Sequence, residues 1–277
     1  MIDYSKFNTH EELIDYLVEN KAALMATKKA EIKKADAVSF FVPIITEKGE
    51  EIKAEPKMAV DLLKQDTIKV KVVINTTNIM DSHRDVHMKG IWKQSLKQQK
   101  SFLHLQEHEA KFDKIISDNS KGYIKVEKWS DLGYNFEGDT EALVFDSEID
   151  RERNPFMFEQ YAKGYVKNHS VGMQYIKIDF AVNDDRYEKE KQVWDKYISE
   201  VANKDEAEKV GYFWVVTEAK IIEGSAVVRG SNYATPTLST KEIEIEEPDN
   251  TTLDENKDDS RLTDTIDKED FRKLLFN

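Results

Sequence analysis

Hydrolysis by a side-chain nucleophile needs a hydroxyl or thiol, a base to take its proton, and a third group to orient the base. The 277 residues contain no cysteine, so thiolate chemistry, disulfides and cysteine-based zinc sites are excluded. Six histidines, His10, His83, His87, His104, His108 and His169, make a short list of bases. Serines are numerous, and one is informative only in context. Ser170 stands in GYVKNHSVGMQYIKI, where a predicted helix and turn pass into a strand. Gly172 beside it is small enough to allow close backbone approach. Taken alone, Ser170 reads as an ordinary strand-start serine.

Two patterns suggest metal chemistry instead. His104-Leu105-Gln106-Glu107-His108 spells H-x-x-E-H, the pattern of one class of zinc peptidase. On a helix, His104 and His108 would share a face, with Glu107 as base. The flanking residues do not resemble that class, and no distal glutamate ligand is identifiable. His83, Asp85 and His87 alternate, so on a strand they would face one way, as two imidazoles and a carboxylate able to hold a metal. A solvated loop is the competing reading.

The elements that would position these residues follow from periodicity. Residues 9–34 predict a helix, with Thr9 as cap, Glu12 completing a capping box, and Leu13, Tyr16, Leu17 and Leu24 at helical spacing. A short apolar stretch (38–45), an exposed turn (EKGEE) and a short helix (56–66) follow. In TIKVKVVINT from Thr67, apolar residues alternate as in a half-buried strand. Further strands are predicted at 121–129, 141–149, 171–181 and 211–223. Between them, 153–164 reads as a helix with Asn154-Pro155 at its start and Gly164 past its end. The charge-dense run 184–209 predicts an exposed helical insertion or hairpin arm. Trp92, Trp129, Trp194 and Trp214 are expected to be core or interface anchors. The fold class expected is α+β with a mostly antiparallel, barrel-like sheet.

Four segments in order resemble the prohead (head-maturation) serine proteases of tailed phages, a family distantly related to herpesvirus assemblin. NIMDSHRDVHMKGIWKQSL (78–96) holds the pattern at Asp81, Asp85 and Gly90, with Arg84 where glycine is usual. SFLHLQEHEAKFDKII (101–116) is similar to the segment in which a strand delivers the catalytic histidine; His108 and Glu109 fit, while Lys114 and Ile116 depart. KGYVKNHSVGMQY (163–175) is similar to the turn leading to the catalytic Ser-Val-Gly. TEAKIIEGSAVV (217–228) resembles the Glu-Val-Ser-Leu-Val segment; Glu218, Ile221, Ile222 and Ala226 fit, while Lys220 and Ser225 depart.

The resemblance implies a β-barrel wrapped by helices and a serine endopeptidase that cleaves scaffold and major capsid proteins inside the immature head, in the host cytoplasm. Ser170 would be the nucleophile, His108 its base and Glu218 the orienting acid, with Glu223 and His104 as alternatives for that third place. No cofactor or metal is implied, and a homodimer is compatible. Two other functions stay open: a catalytically inactive internal head protein of the same fold, and a zinc peptidase using His104, Glu107 and His108.

Composition bounds these readings. The chain is 39% hydrophobic and 34% charged, above the roughly 25% charged that is usual, so much of it must be solvated. A net charge of −13 argues against binding naked nucleic acid, which needs clustered Lys and Arg. No apolar run approaches the length of a membrane span, and the start lacks a signal-peptide pattern. The organisation expected is an N-terminal helical extension (1–66), a protease-like domain (67–240) with a charged insertion at about 183–210, and an acidic tail (241–277). The tail holds 13 acidic and 6 basic residues, hence −7 of the total charge. Its middle is predicted disordered, and its end (Phe271, Leu274, Leu275, Phe276) a short amphipathic helix.

Overall fold

A computed structural model describes residues 6–33 and 60–242. The 38–45 stretch, the EKGEE turn, the first part of the 56–66 helix and the acidic tail after residue 242 lie outside the described residues. Two helices come first, α1 (His10–Glu19) and α2 (Lys21–Ala30), then a two-residue strand β1 (Ile32–Lys33). The Thr9 side chain caps α1 by accepting the Glu12 amide, but Glu12 returns to the amide of Asn8 rather than Thr9. After β2 (Thr67–Thr76) come β3 (Asp85–His87), α3 (Lys93–Gln98), β4 (Ser101–Gln106), β5 (Ile115–Lys128) and β6 (Asp139–Asp150). Then follow α4 (Pro155–Ala162), β7 (Asn168–Val182), α5 (Glu188–Tyr197), α6 (Lys204–Val210), β8 (Tyr212–Val227) and β9 (Thr237–Glu242). The α4 signals hold: Asn154 accepts the Met157 amide, Pro155 opens the helix, and Gly164 follows with φ +68°.

The strands form one mixed sheet in the order β1-β7-β8-β4-β5-β6-β2-β9, with β3 also pairing β8. Both β3 and β4 run parallel to β8; the remaining pairs are antiparallel. The architecture is therefore α+β, but the sheet is unclosed, ending at β1 and β9, where a barrel was expected. It still curls. Val70, Val72 and Ile74 of β2 share an apolar cluster with Val171, Met173 and Tyr175 of β7, although those strands are far apart in the sheet order. Such sharing requires the sheet to bend around its own buried face.

Two expectations about peripheral segments change. Ile14 and Leu17 of α1 are buried in that same cluster, so the N-terminal helices are packed on the core of the sheet. The 184–209 run is helical but not an exposed arm. Its Trp194, Val201 and Ala207 cover Ala181, Phe213 and Val215 on the opposite face of β7 and β8. Snorkelling explains the misreading: the charged side chains on its outer face conceal a sparse inner apolar stripe. All four tryptophans are buried, as expected of core anchors.

Candidate active site

The β8 strand is central, bonded to β7 on one side and to β4 on the other. Its segment Glu223-Gly224-Ser225-Ala226 alternates sides, as strand geometry dictates. A side chain at Gly224 would strike Phe145 and Ile74 of the core, and Ala226 lies in the core cluster. Glu223 and Ser225 therefore point to the other face. Across the antiparallel ladder, Gly172 stands opposite Glu223 and Ser170 opposite Ser225. Directly opposed residues present their side chains to the same face. One patch thus collects Ser170, Glu223 and Ser225, with a gap at Gly172.

His108 enters this patch from the end of β4. Glu107 and His108 have φ values of +51° and +58°, left-handed conformations that cost non-glycine residues free energy. Three bonds to the end of β8 hold this turn. Glu107 N–H donates to the Ala226 carbonyl (2.9 Å), the Glu107 carboxylate accepts the Val228 amide (2.9 Å), and His108 N–H donates to Ser225 Oγ (3.2 Å). The result sets His108 Nδ1 at 2.6 Å from Glu223 Oε1, while Ser225 Oγ donates to Glu223 Oε2 at 2.6 Å. In the neutral imidazole, donation from Nδ1 to this carboxylate places the lone pair on Nε2. His108 and Glu223 are each 6% exposed and Ser170 is 7% exposed.

Gly172 makes the arrangement possible. A Cβ there would lie 1.9 Å from Glu223 Oε1, so the carboxylate occupies the space a side chain would need. Gly230 does the same for the loop after β8, whose backbone passes beside His169 and Ser170. A cavity of about 10 Å³, room for one water, adjoins Ser170 and is walled by Asn75, Asp81, His83 and Asn232.

The third place is where the expectation needs correcting. Glu218 is paired with Lys177 at 2.5 Å, and it is Glu223 that contacts His108. The Glu-x-Ser spacing of Glu223-Gly224-Ser225 is the sequence signal for this pair. His104, the other alternative, lies in a separate buried network. Its Nδ1 is 3.0 Å from Ser147 Oγ and its Nε2 3.1 Å from Tyr161 OH, which also meets His169 Nε2 at 3.0 Å. Burial holds His104 neutral, well below the ordinary imidazole range, with His169 adding repulsion. Burial also brings His169 down to about 4, against the opposing bond to the Thr235 carbonyl. The H-x-x-E-H pattern falls on strand β4 and a left-handed turn, not on a helix, so His104 and His108 share no helical face and Glu107 is engaged by Val228.

The second metal reading also changes partners. His87 turns to Asn75 (3.1 Å) and Tyr175 (3.1 Å), and Asp81 replaces it beside His83 and Asp85, with potential ligand atoms within 4.8 Å of one another. Asp85 is already engaged by Lys28 at 2.5 Å, Lys33 at 3.6 Å and Tyr175 OH at 2.8 Å. Burial alone would raise its carboxyl, but these partners together bring it down to about 2. Two ammonium groups beside the carboxylate suit an ion-paired clamp for α2 and β1 better than a cation site. Asp81 shapes the preceding turn, its Oδ1 accepting the amides of His83 and Asp85. Arg84 within that turn has φ +62°, which explains why glycine would be favoured there.

No known family model, curated protein or solved structure matches this chain.

Proposed function

We propose that the chain is a serine endopeptidase of the prohead-protease kind, with Ser170 as nucleophile, His108 as general base and Glu223 as the orienting acid. One observation carries the reading: a buried His–Glu pair, 2.6 Å apart, on the strand face that also presents Ser170. Packing alone needs neither the buried charge nor the strained turn that delivers His108, and both are costly without a purpose. The supporting sequence feature is the Ser-Val-Gly run, whose glycine has a physical role beside Glu223.

In this mechanism Ser170 Oγ attacks the scissile carbonyl carbon as His108 Nε2 takes its proton. The C–N bond then breaks as His108 returns that proton to the leaving amine. Water, activated by the same imidazole, hydrolyses the acyl-enzyme. Glu223 fixes the Nδ1–H tautomer and stabilises the imidazolium. The substrates proposed are scaffold and major capsid proteins of an assembling phage head, acted on within the prohead. Co-expression with such head proteins tests the proposal: the wild-type chain should cleave them and Ser170→Ala should not. Cleavage by Ser170→Ala would remove the nucleophile assignment. Absence of cleavage by the wild type would favour an inactive internal head protein.

A further inference from the structure

We propose that Ser225 is a positioning residue for this site: its hydroxyl fixes both the tilt of the Glu223 carboxylate and the turn that carries His108. The inference rests on the serine-hydrolase reading for its catalytic consequence, although the positioning itself is a matter of geometry. Ser225 is fully buried. Its proton is directed to Glu223 Oε2 at 2.6 Å and its oxygen accepts the His108 amide at 3.2 Å. Both capacities of the hydroxyl are thus used, which makes Ser225 a poor nucleophile and a good strut. A carboxylate held at one oxygen by His108 is free to rotate about its last torsion. The Ser225 bond to the other oxygen removes that freedom, and the carboxylate lies in the space that Gly172 leaves open. The same hydroxyl satisfies the amide of a residue with φ +58°, where the backbone does not rest unaided. One oxygen atom thereby couples the base to its orienting acid.

The test uses the full chain and a fluorophosphonate probe. In the labelling step the Ser170 Oγ–P bond forms, the P–F bond breaks, fluoride leaves, and the serine proton passes to His108 Nε2. Four variants are compared with wild type: Ser225→Ala, Ser225→Thr, Glu223→Ala and the Ser225→Ala/Glu223→Ala double variant. Losing a charge-assisted bond in a buried site should slow the maximal labelling rate by about 10–100-fold, with little change in the probe concentration giving half-maximal rate. Ser225→Thr, which keeps the hydroxyl, should recover most of the rate. In the Glu223→Ala background, Ser225→Ala should cost clearly less than in the wild type, the remaining loss reporting its bond to the His108 amide. A second readout needs no activity: the proton resonance of His108 Nδ1–H should be altered by Ser225→Ala and kept by Ser225→Thr. Equal rate losses in both Glu223 backgrounds, or a resonance indifferent to Ser225→Ala, would overturn the assignment. If wild-type Ser170 is never labelled, the hydrolase reading fails, and the resonance still decides whether Ser225 positions His108.

Discussion

Replacing Gly172 with alanine probes the site while leaving the Ser170, His108 and Glu223 side chains chemically unchanged. The new Cβ would lie 1.9 Å from Glu223 Oε1, 2.7 Å from its Cδ and 3.0 Å from its Cγ. Ordinary van der Waals contact begins at about 3.4 Å, so the carboxylate must retreat by about 1.5 Å. A retreat of that size breaks one or both of its 2.6 Å bonds, to His108 and Ser225. Hydrogen bonds to charged groups contribute about 1.5–3 kcal/mol each, and a buried carboxylate left short of partners costs more, so a loss of about 2–4 kcal/mol in unfolding free energy is expected. Removing the obstacle should remove the cost. In a Glu223→Ala background the same Gly172→Ala change should cost less than about 1 kcal/mol, since alanine is otherwise no worse than glycine in a strand. Urea unfolding of wild type, both single variants and the double variant at neutral pH gives the coupling energy directly. Equal losses in the two backgrounds, within about 0.5 kcal/mol, would refute the reasoning.

Other consequences concern neighbouring networks. His108→Ala should abolish serine-directed labelling, whereas His104→Gln should retain it and lose stability instead, by about 1–3 kcal/mol, because His104 bonds Ser147 and Tyr161 away from the site. Loss of labelling from both changes alike would contradict this separation. His169 has its pKa depressed from about 6.5 unfolded to about 4 folded, so its stabilising contribution is complete above the higher value and is lost as pH falls through that window. Between pH 7 and 5 this costs about 2 kcal/mol, with His104 acting in the same direction, and a urea midpoint unchanged across that range would count against both assignments. Lys28→Ala removes the nearer of two ammonium groups from fully buried Asp85 and should destabilise by about 2–4 kcal/mol. A melting temperature within a degree of wild type would show that the clamp contributes nothing.

Much of the architecture was legible because local rules and tertiary packing agree. The alternation from Thr67 marks β2, and Asn154-Pro155 with Gly164 brackets α4. The three-residue strand β3 carries too few residues for a period, the TLSTKE sequence of β9 shows little apolar alternation, and both exist by pairing, with β8 and β2 respectively. Sheet closure is likewise a property of long-range pairing, which no local pattern reports. The site divides the same way. Ser170 and His108 stood out by residue type and by resemblance. Glu223 entered only as an alternative for the third place, and its direction was not legible locally: the β7–β8 register slips between Gly172 and Met173, leaving Ile222 as an extra residue in β8. Counted by simple alternation from the buried Ile221, Glu223 and Ser225 would point into the core. The bulge resets the phase and turns them outward to meet His108.

The central claim is that His108 and Glu223 activate Ser170. Intact-mass and peptide-mapping analysis after treatment with a fluorophosphonate tests it most directly, because the probe needs no knowledge of the cleavage site. The account predicts a single adduct on Ser170 in the wild-type chain, no adduct in Ser170→Ala or His108→Ala, and labelling slowed at least about 100-fold in Glu223→Ala. An adduct on another serine, or labelling of Ser170 at the same rate in the Glu223→Ala variant, would contradict it.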